Sequence, residues 1–250
     1  MKNKSKLENL NFKKFSELAA EKGLSKYEKI GFYDHLRKGI EADIFEDIRS
    51  KLSNLGKKNQ VVVDIGCGCS DLPLLLIELC RKHKHQLVLI DSKEMLDNLP
   101  DAKFITKIAG QYPNECGAFL KKYKGKADVV LSYSVFHYVF EELPYMGFID
   151  STLSLLSNGG QFLLGDLPNN TKKNRFFNSE AGIRYHQKNN KTKEKPVLNF
   201  NEIPQGIIDD GVIFGILQRA RNSGFESYLV PQNEALAMSN RRDDILIVKH

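Results

Sequence analysis

The chain has 250 residues, 41% of them hydrophobic, and a formal net charge of +6. That length fits one α/β domain with a modest extension and can bury a substantial core. No apolar run approaches the ~20 residues that span a bilayer and no apolar signal segment follows the basic residues 1–6, so a cytoplasmic protein without membrane spans is expected.

Cys67, Cys69, Cys80 and Cys116 show neither C-x-x-C spacing nor a paired His motif. They read as reduced structural residues, and no metal constellation is visible. The basic clusters at 2–6, 121–126 and 188–195 lack the interleaved aromatics of a base-stacking platform, which disfavours nucleic acid as a partner.

Residues 7–55 read as amphipathic helices. Phe12, Phe15, Leu18 and Ala19 keep a 3.6-residue period, as do Ile40, Ile44, Phe45, Ile48 and Leu52. Between them, 27–37 mixes aromatics with Asp34, His35 and Arg37 around Gly31. This segment is either a packing cap on the sheet or a lid over a site.

Strand and helix alternate over 56–165, the pattern of a parallel sheet covered on both faces. The first strand, Val61-Val62-Val63-Asp64-Ile65, runs into Gly66-Cys67-Gly68-Cys69-Ser70 and then an apolar helix over 72–79. Two alternating glycines at a strand's carboxyl end let a ligand approach the backbone. The spacing is D-x-G-x-G, with Asp71 where a dinucleotide fingerprint has its third glycine. An acid there opposes a pyrophosphate. A cationic ligand with an amino-acid end suits Asp64 and Asp71 better, as S-adenosylmethionine (SAM) would.

A second strand over 86–90 ends at Asp91, placed to hold both hydroxyls of a ribose. The alternative is that Asp91 or Ser92 caps the following turn. A third strand is expected at 103–106, followed by Ala109-Gly110-Gln111. The fourth strand and the loop behind it cover 127–138, with His137 in the loop, and the fifth strand covers 161–164 after Gly159-Gly160. Asp166 follows it. Residues 168–206 break the rhythm, a polar segment carrying Arg175, Arg184 and His186. Helical periodicity returns over 207–221, and two strands at 225–230 and 245–248 close the chain.

In order and spacing these segments resemble the class I SAM-dependent methyltransferases. The likeness covers about residues 55–250 and rests on Asp64-Ile65-Gly66-Cys67-Gly68, Asp91, 127–138 and 155–164. Ser70, where many members have a third glycine, departs from the pattern. So does 109–111, which lacks the acid often found at the adenine amino group; Gln111 or a backbone group would have to serve. The resemblance implies an α/β fold: a Rossmann-like, seven-stranded, mostly parallel sheet with helices on both faces. It further implies an N-terminal helical lid over 1–55 and a methyltransferase domain over 56–250 with a substrate-side insertion at 168–206. SAM would be the cofactor, held by Asp64, Gly66, Gly68, Asp91, Ser92 and Ser132.

The expected activity is methyl transfer to a hydroxyl or nitrogen of a small polar acceptor. His137 and Asp166 are the candidate bases. The alternatives are a His packed beside Phe136 and Tyr138, and an Asp capping a turn. Arg37, Arg175, Arg184 and His186 would bind an anionic acceptor, unless they are solvated charges. Residues 165–186 are similar to those of bacterial methyltransferases associated with surface-sugar biosynthesis, which implies an acidic or nucleotide-activated sugar and a role in carbohydrate biosynthesis. Amino-group DNA methylation is disfavoured, because its Asp/Asn-Pro-Pro-aromatic motif belongs where this chain has Ser132-Tyr133-Ser134-Val135. Two rivals stay open: an RNA or protein methyltransferase using the basic surface, and a non-catalytic methyltransferase-like scaffold.

Overall fold

The computed structural model describes residue 7, residues 9–198, residue 200 and residues 206–250. The basic cluster at 2–6 and positions 199 and 201–205 of the insertion lie outside the described residues.

Seven strands form one sheet: β1 Val61–Ile65, β2 Gln86–Asp91, β3 Ile105–Ala109, β4 Ala127–Tyr133, β5 Leu156–Pro168, β6 Glu226–Val230 and β7 Arg242–Val248. Their order is β3-β2-β1-β4-β5-β7-β6. The first five strands run parallel, and β7 is antiparallel to both of its neighbours. Strand order reverses between β1 and β4, the switch point at which open α/β sheets leave a crevice.

Twelve α-helices accompany the sheet: α1 Phe12–Ala20, α2 Lys26–Lys29, α3 Asp34–Arg37, α4 Glu41–Lys51, α5 Asp71–His83, α6 Lys93–Leu96, α7 Gly117–Tyr123, α8 Phe136–Glu142, α9 Tyr145–Leu153, α10 Asn170–Asn178, α11 Glu180–Asn190 and α12 Asp210–Asn222, among the described residues. The alternating side chains of the strands supply two cores. Val62, Leu87, Leu89, Val129, Leu131 and Leu163 pack with α4 and α5. Val63, Val88, Ile90, Val130, Phe162 and Leu164 pack with α9 and α12. Burial on both faces is why the parallel strands read as continuous apolar runs.

Several boundaries differ from the sequence reading; the last strand, for one, begins at Arg242 rather than at 245. β3 begins two residues later than expected, at Ile105. β5 extends from Leu156 to Pro168. Gly159-Gly160, expected as a turn, lies inside it, where the register with β4 shifts. A Cβ on Gly160 would sit 2.7 Å from the Ala127 carbonyl oxygen, so this close passage needs glycine. The insertion holds α10 and α11, each started by a polar cap. Asn169 accepts from Lys172 N–H and Ser179 from Gly182 N–H. With no buried residue in α10 there was no apolar stripe to reveal it.

The N-terminal helices are tied to the sheet's carboxyl edge. Asn11 caps α1, and a reciprocal Ser25–Glu28 capping box starts α2. Ser16 Oγ donates to Glu94 at 2.6 Å, Lys29 Nζ donates to Asn98 at 2.7 Å, and the Phe15 and Tyr138 rings meet edge to face.

Candidate active site

The turn after β1 is built by backbone conformation. Gly66 and Gly68 have φ of +72° and +63°, a left-handed region that a side chain would strain. A Cβ on Gly66 would lie 2.6 Å from Val135, and one on Gly68 would lie 2.9 Å from Ile30 of the N-terminal segment. Asp91 at the end of β2 faces this turn. Its carboxylate accepts the Gly68 N–H at 2.8 Å and the Ser92 N–H at 2.7 Å. Burial pushes its pKa up to about 6 against the pull of those two bonds.

Asp64 is 4% exposed. Burial, then the neighbouring Asp91 charge, pushes its pKa up to about 8. A carboxyl so placed ionises readily only when a cation or hydrogen-bond donor joins it.

Gly66, Gly68 and Asp91 line a cavity whose roof comes from the N-terminal segment, including Phe12 and Phe15 of α1 and Phe32 between α2 and α3. Asp71, expected to face the ligand, does not line this cavity. Its carboxylate accepts from Tyr27 Oη at 2.5 Å and from Lys26 Nζ. Burial opposes its ionisation, but these two donors outweigh it and lower its pKa. The same contact pushes the Tyr27 hydroxyl up to about 12. Asp71 is therefore a latch for the roof. A second latch is Glu41, which accepts from Leu72 N–H at 2.7 Å and from Arg37 Nε at 2.9 Å.

At the ends of β4 and β5, Ser134 and Asp166 both take left-handed backbone conformations, with φ of +62° and +59°. Ser134 Oγ donates to Asp166 Oδ2 at 2.7 Å. Two adjacent non-glycine residues held in this region mark a place where strain is retained by surrounding contacts. Those contacts are Asp166 N–H to Asp244 Oδ1 at 2.8 Å and Arg242 Nη1 to the Asp166 carbonyl at 3.0 Å. Lys51 of α4 in turn neutralises Asp244 at 2.8 Å. Ser134 and Tyr133 line the roofed cavity. Gly165 lets the Tyr133 ring approach, since a Cβ there would fall 2.4 Å from it.

The remaining candidates divide. Arg37 lines the cavity, paired to Glu41. Ser92 does not line it; its Oγ caps α6 by accepting Met95 N–H at 3.2 Å. Ser132 is fully buried within β4, its hydroxyl without a partner, and Ser134 takes the cavity position instead. His137 lies in the first turn of α8 rather than in a loop, and it lines a second cavity. Burial, then the Arg242 charge, pushes its pKa down to about 4. Arg175 pairs with Asp210, Arg184 pairs with Glu180, and His186 meets Asn190, and none of the three lines either cavity. The anion-binding fork expected from them is not assembled, because α10 and α11 turn these side chains toward their own helices and α12. Sequence reasoning missed Ser134, Tyr133 and Tyr138, although the polar-aromatic run after a buried strand was the available signal. Gln111 lines the cavity, its Nε2 donating to Glu142 at 3.2 Å.

No family model matches the sequence, and no curated protein matches it. Among solved structures, the plantazolicin methyltransferase BpumL, in complex with a monoazolic desmethylPZN analog and SAH, aligns with TM-score 0.58 at 14% identity, over 96% of this chain and 97% of that one. The plantazolicin methyltransferase BamL, with a triazolic analog and SAH, gives 0.56 at 15% identity over 95% and 97%. The CurJ carbon methyltransferase gives 0.53 at 12% identity; 86% of this chain is covered but only 56% of that protein. At such identities the likeness speaks for the fold, and the chain has the Rossmann-like α/β fold of these SAM-dependent methyltransferase structures, with seven strands and a mostly parallel sheet.

Proposed function

We propose that the protein is a SAM-dependent methyltransferase acting on a hydroxyl or nitrogen of a small polar acceptor. One observation carries the reading: the left-handed glycine turn and the Asp91 carboxylate share a roofed cavity at the sheet's switch point. The residues fit a cationic nucleoside. Asp91 has lone pairs beyond its two backbone bonds to accept ribose hydroxyls. Asp64 lies behind this lining, in β1 just before Ile65 and Gly66; burial pushes its pKa up to about 8, and a positive ligand group in the cavity would favour its ionised form. When bound, SAM supplies an electrophilic methyl group on a positive sulfur.

The chain's own part is alignment and proton removal. Ile30, Phe12 and Phe15 close the cavity from water, and Tyr133 and Ser134 form its wall at the ends of β4 and β5. Holding the acceptor in line is a large share of such catalysis. We assign the proton-accepting role to Asp166, which already takes a proton donor's bond from the cavity-lining Ser134 hydroxyl. His137 faces the other cavity and stays neutral to about pH 4. The finer acceptor reading, an acidic or nucleotide-activated sugar, rests on the likeness of residues 165–186 noted above.

Calorimetry with SAM tests the reading. Micromolar binding that Asp91→Ala and Asp64→Ala abolish is expected. A folded wild-type protein that binds neither SAM nor its demethylated product refutes it. Acceptor binding that weakens steeply with salt would move the acceptor to RNA.

A further inference from the structure

The geometry points to a second subsite, on the far side of α8, that binds a phosphate or carboxylate group of the acceptor. This rests on the methyltransferase reading and gives the acceptor a chemical class. Helix α8 divides the two cavities. Tyr138, Val139 and Glu142 line the roofed one, whereas His137, Phe140 and Glu141 line the other. These are opposite faces of one helix.

The second cavity is lined by Lys173, Arg241 and Arg242 against the single carboxylate of Glu141, among the described residues. The carboxylates around it are already matched: Asp243 by Lys172, Asp210 by Arg175, and Asp166 by Arg242. Lys173 and Arg241 are left facing Glu141 alone, a surplus of one positive charge on the lining. Arg241 meets only neutral groups among the described residues: the Asn240 side chain at 3.3 Å and the Tyr185 hydroxyl at 3.3 Å, with its guanidinium over the Tyr185 ring. That contact fixes the guanidinium plane while leaving its charge unspent. Lys173 has no carboxylate partner among the described residues. The start of α10, at Asn169 and Asn170, adds a helix N-terminus to the same wall.

The Ser134–Asp166 pair connects the two sides, since Ser134 lines the first cavity and Arg242, which holds Asp166, lines the second. A helix with its side chains is ~10 Å across, so an acceptor that reaches round α8 carries its anionic group at least that far from the methylated atom.

The test is calorimetry on the full chain, saturated with SAM, using inorganic pyrophosphate in one arm and succinate in the other. Binding of either probe is expected, weakened about tenfold or more in Lys173→Gln and in Arg241→Gln. The exposed-lysine controls Lys82→Gln and Lys121→Gln should bind as wild type. The arm that binds identifies the group as phosphate or carboxylate. SAM affinity, measured in the same variants, reports folding and stands or falls separately. If SAM binds but neither probe does, or if the probe binds equally to Lys173→Gln and Arg241→Gln, the subsite is refuted while the methyltransferase reading survives.

Discussion

Replacing Glu41 by alanine strikes both the roof and the core beneath it. The Glu41 and Arg37 side chains are 2% and 8% exposed. The carboxylate also accepts the Leu72 N–H in the first turn of α5. Its removal strands a buried guanidinium, a loss of ~3–5 kcal/mol where one partner of a buried pair is deleted. The unmet α5 N–H adds ~1 kcal/mol. The two overlap, because one carboxylate serves both, so the expected loss is about 4 kcal/mol. For a chain of this size each kcal/mol moves Tm by ~2–4 °C, which places the shift at about 10 °C. Thermal unfolding by circular dichroism, with a urea titration beside it, reads this directly. Arg37→Met combined with Glu41→Leu should recover most of the loss, since no charge is then left buried. A drop below ~3 °C in Glu41→Ala would falsify the view that this pair holds the N-terminal helices to α5.

Two further substitutions test the site. Asp64 has a folded-state pKa near 8 against an ordinary 3.8. The ligand-free folded protein therefore binds more protons than the unfolded chain between about pH 4 and pH 8, and this group's contribution to stability is lost as pH rises through that window. Asp64→Asn should flatten the dependence, making the variant more stable than wild type at pH 8 while abolishing SAM binding; parallel pH curves from urea midpoints would refute the assignment. Asp166→Asn keeps a residue type that tolerates the left-handed φ of +59° but cannot take a proton. Methyl transfer should fall by ~100-fold or more with SAM affinity unchanged, and undiminished turnover would remove Asp166 from the chemistry.

Local pattern was enough for the sheet. Val61-Val62-Val63, Leu87-Val88-Leu89-Ile90 and Val129-Val130-Leu131 are apolar on consecutive positions, because both faces of each strand are covered. The glycine turn and Asp91 were legible because backbone conformation and strand-end position are properties of a few adjacent residues. The fates of Asp71, Ser132, His137 and the insertion's Arg175, Arg184 and His186 were not, whereas the Ser92 cap, whose partner Met95 is three residues away, was. Asp71 belongs to Tyr27 and Lys26, 44 and 45 residues away. Arg175 belongs to Asp210 and Asp166 to Ser134, while His137 is turned to one face of a short helix. A polar side chain's partner is set by what packing brings within about 3 Å, and that distance bears no relation to separation along the chain. The sequence by itself determined the succession of strands along the chain and the glycine turn at the end of β1. Tertiary structure alone decided which acids latch the roof, which hydroxyl faces the cavity, and where unmatched positive charge collects, because each depends on side chains from elements remote in sequence.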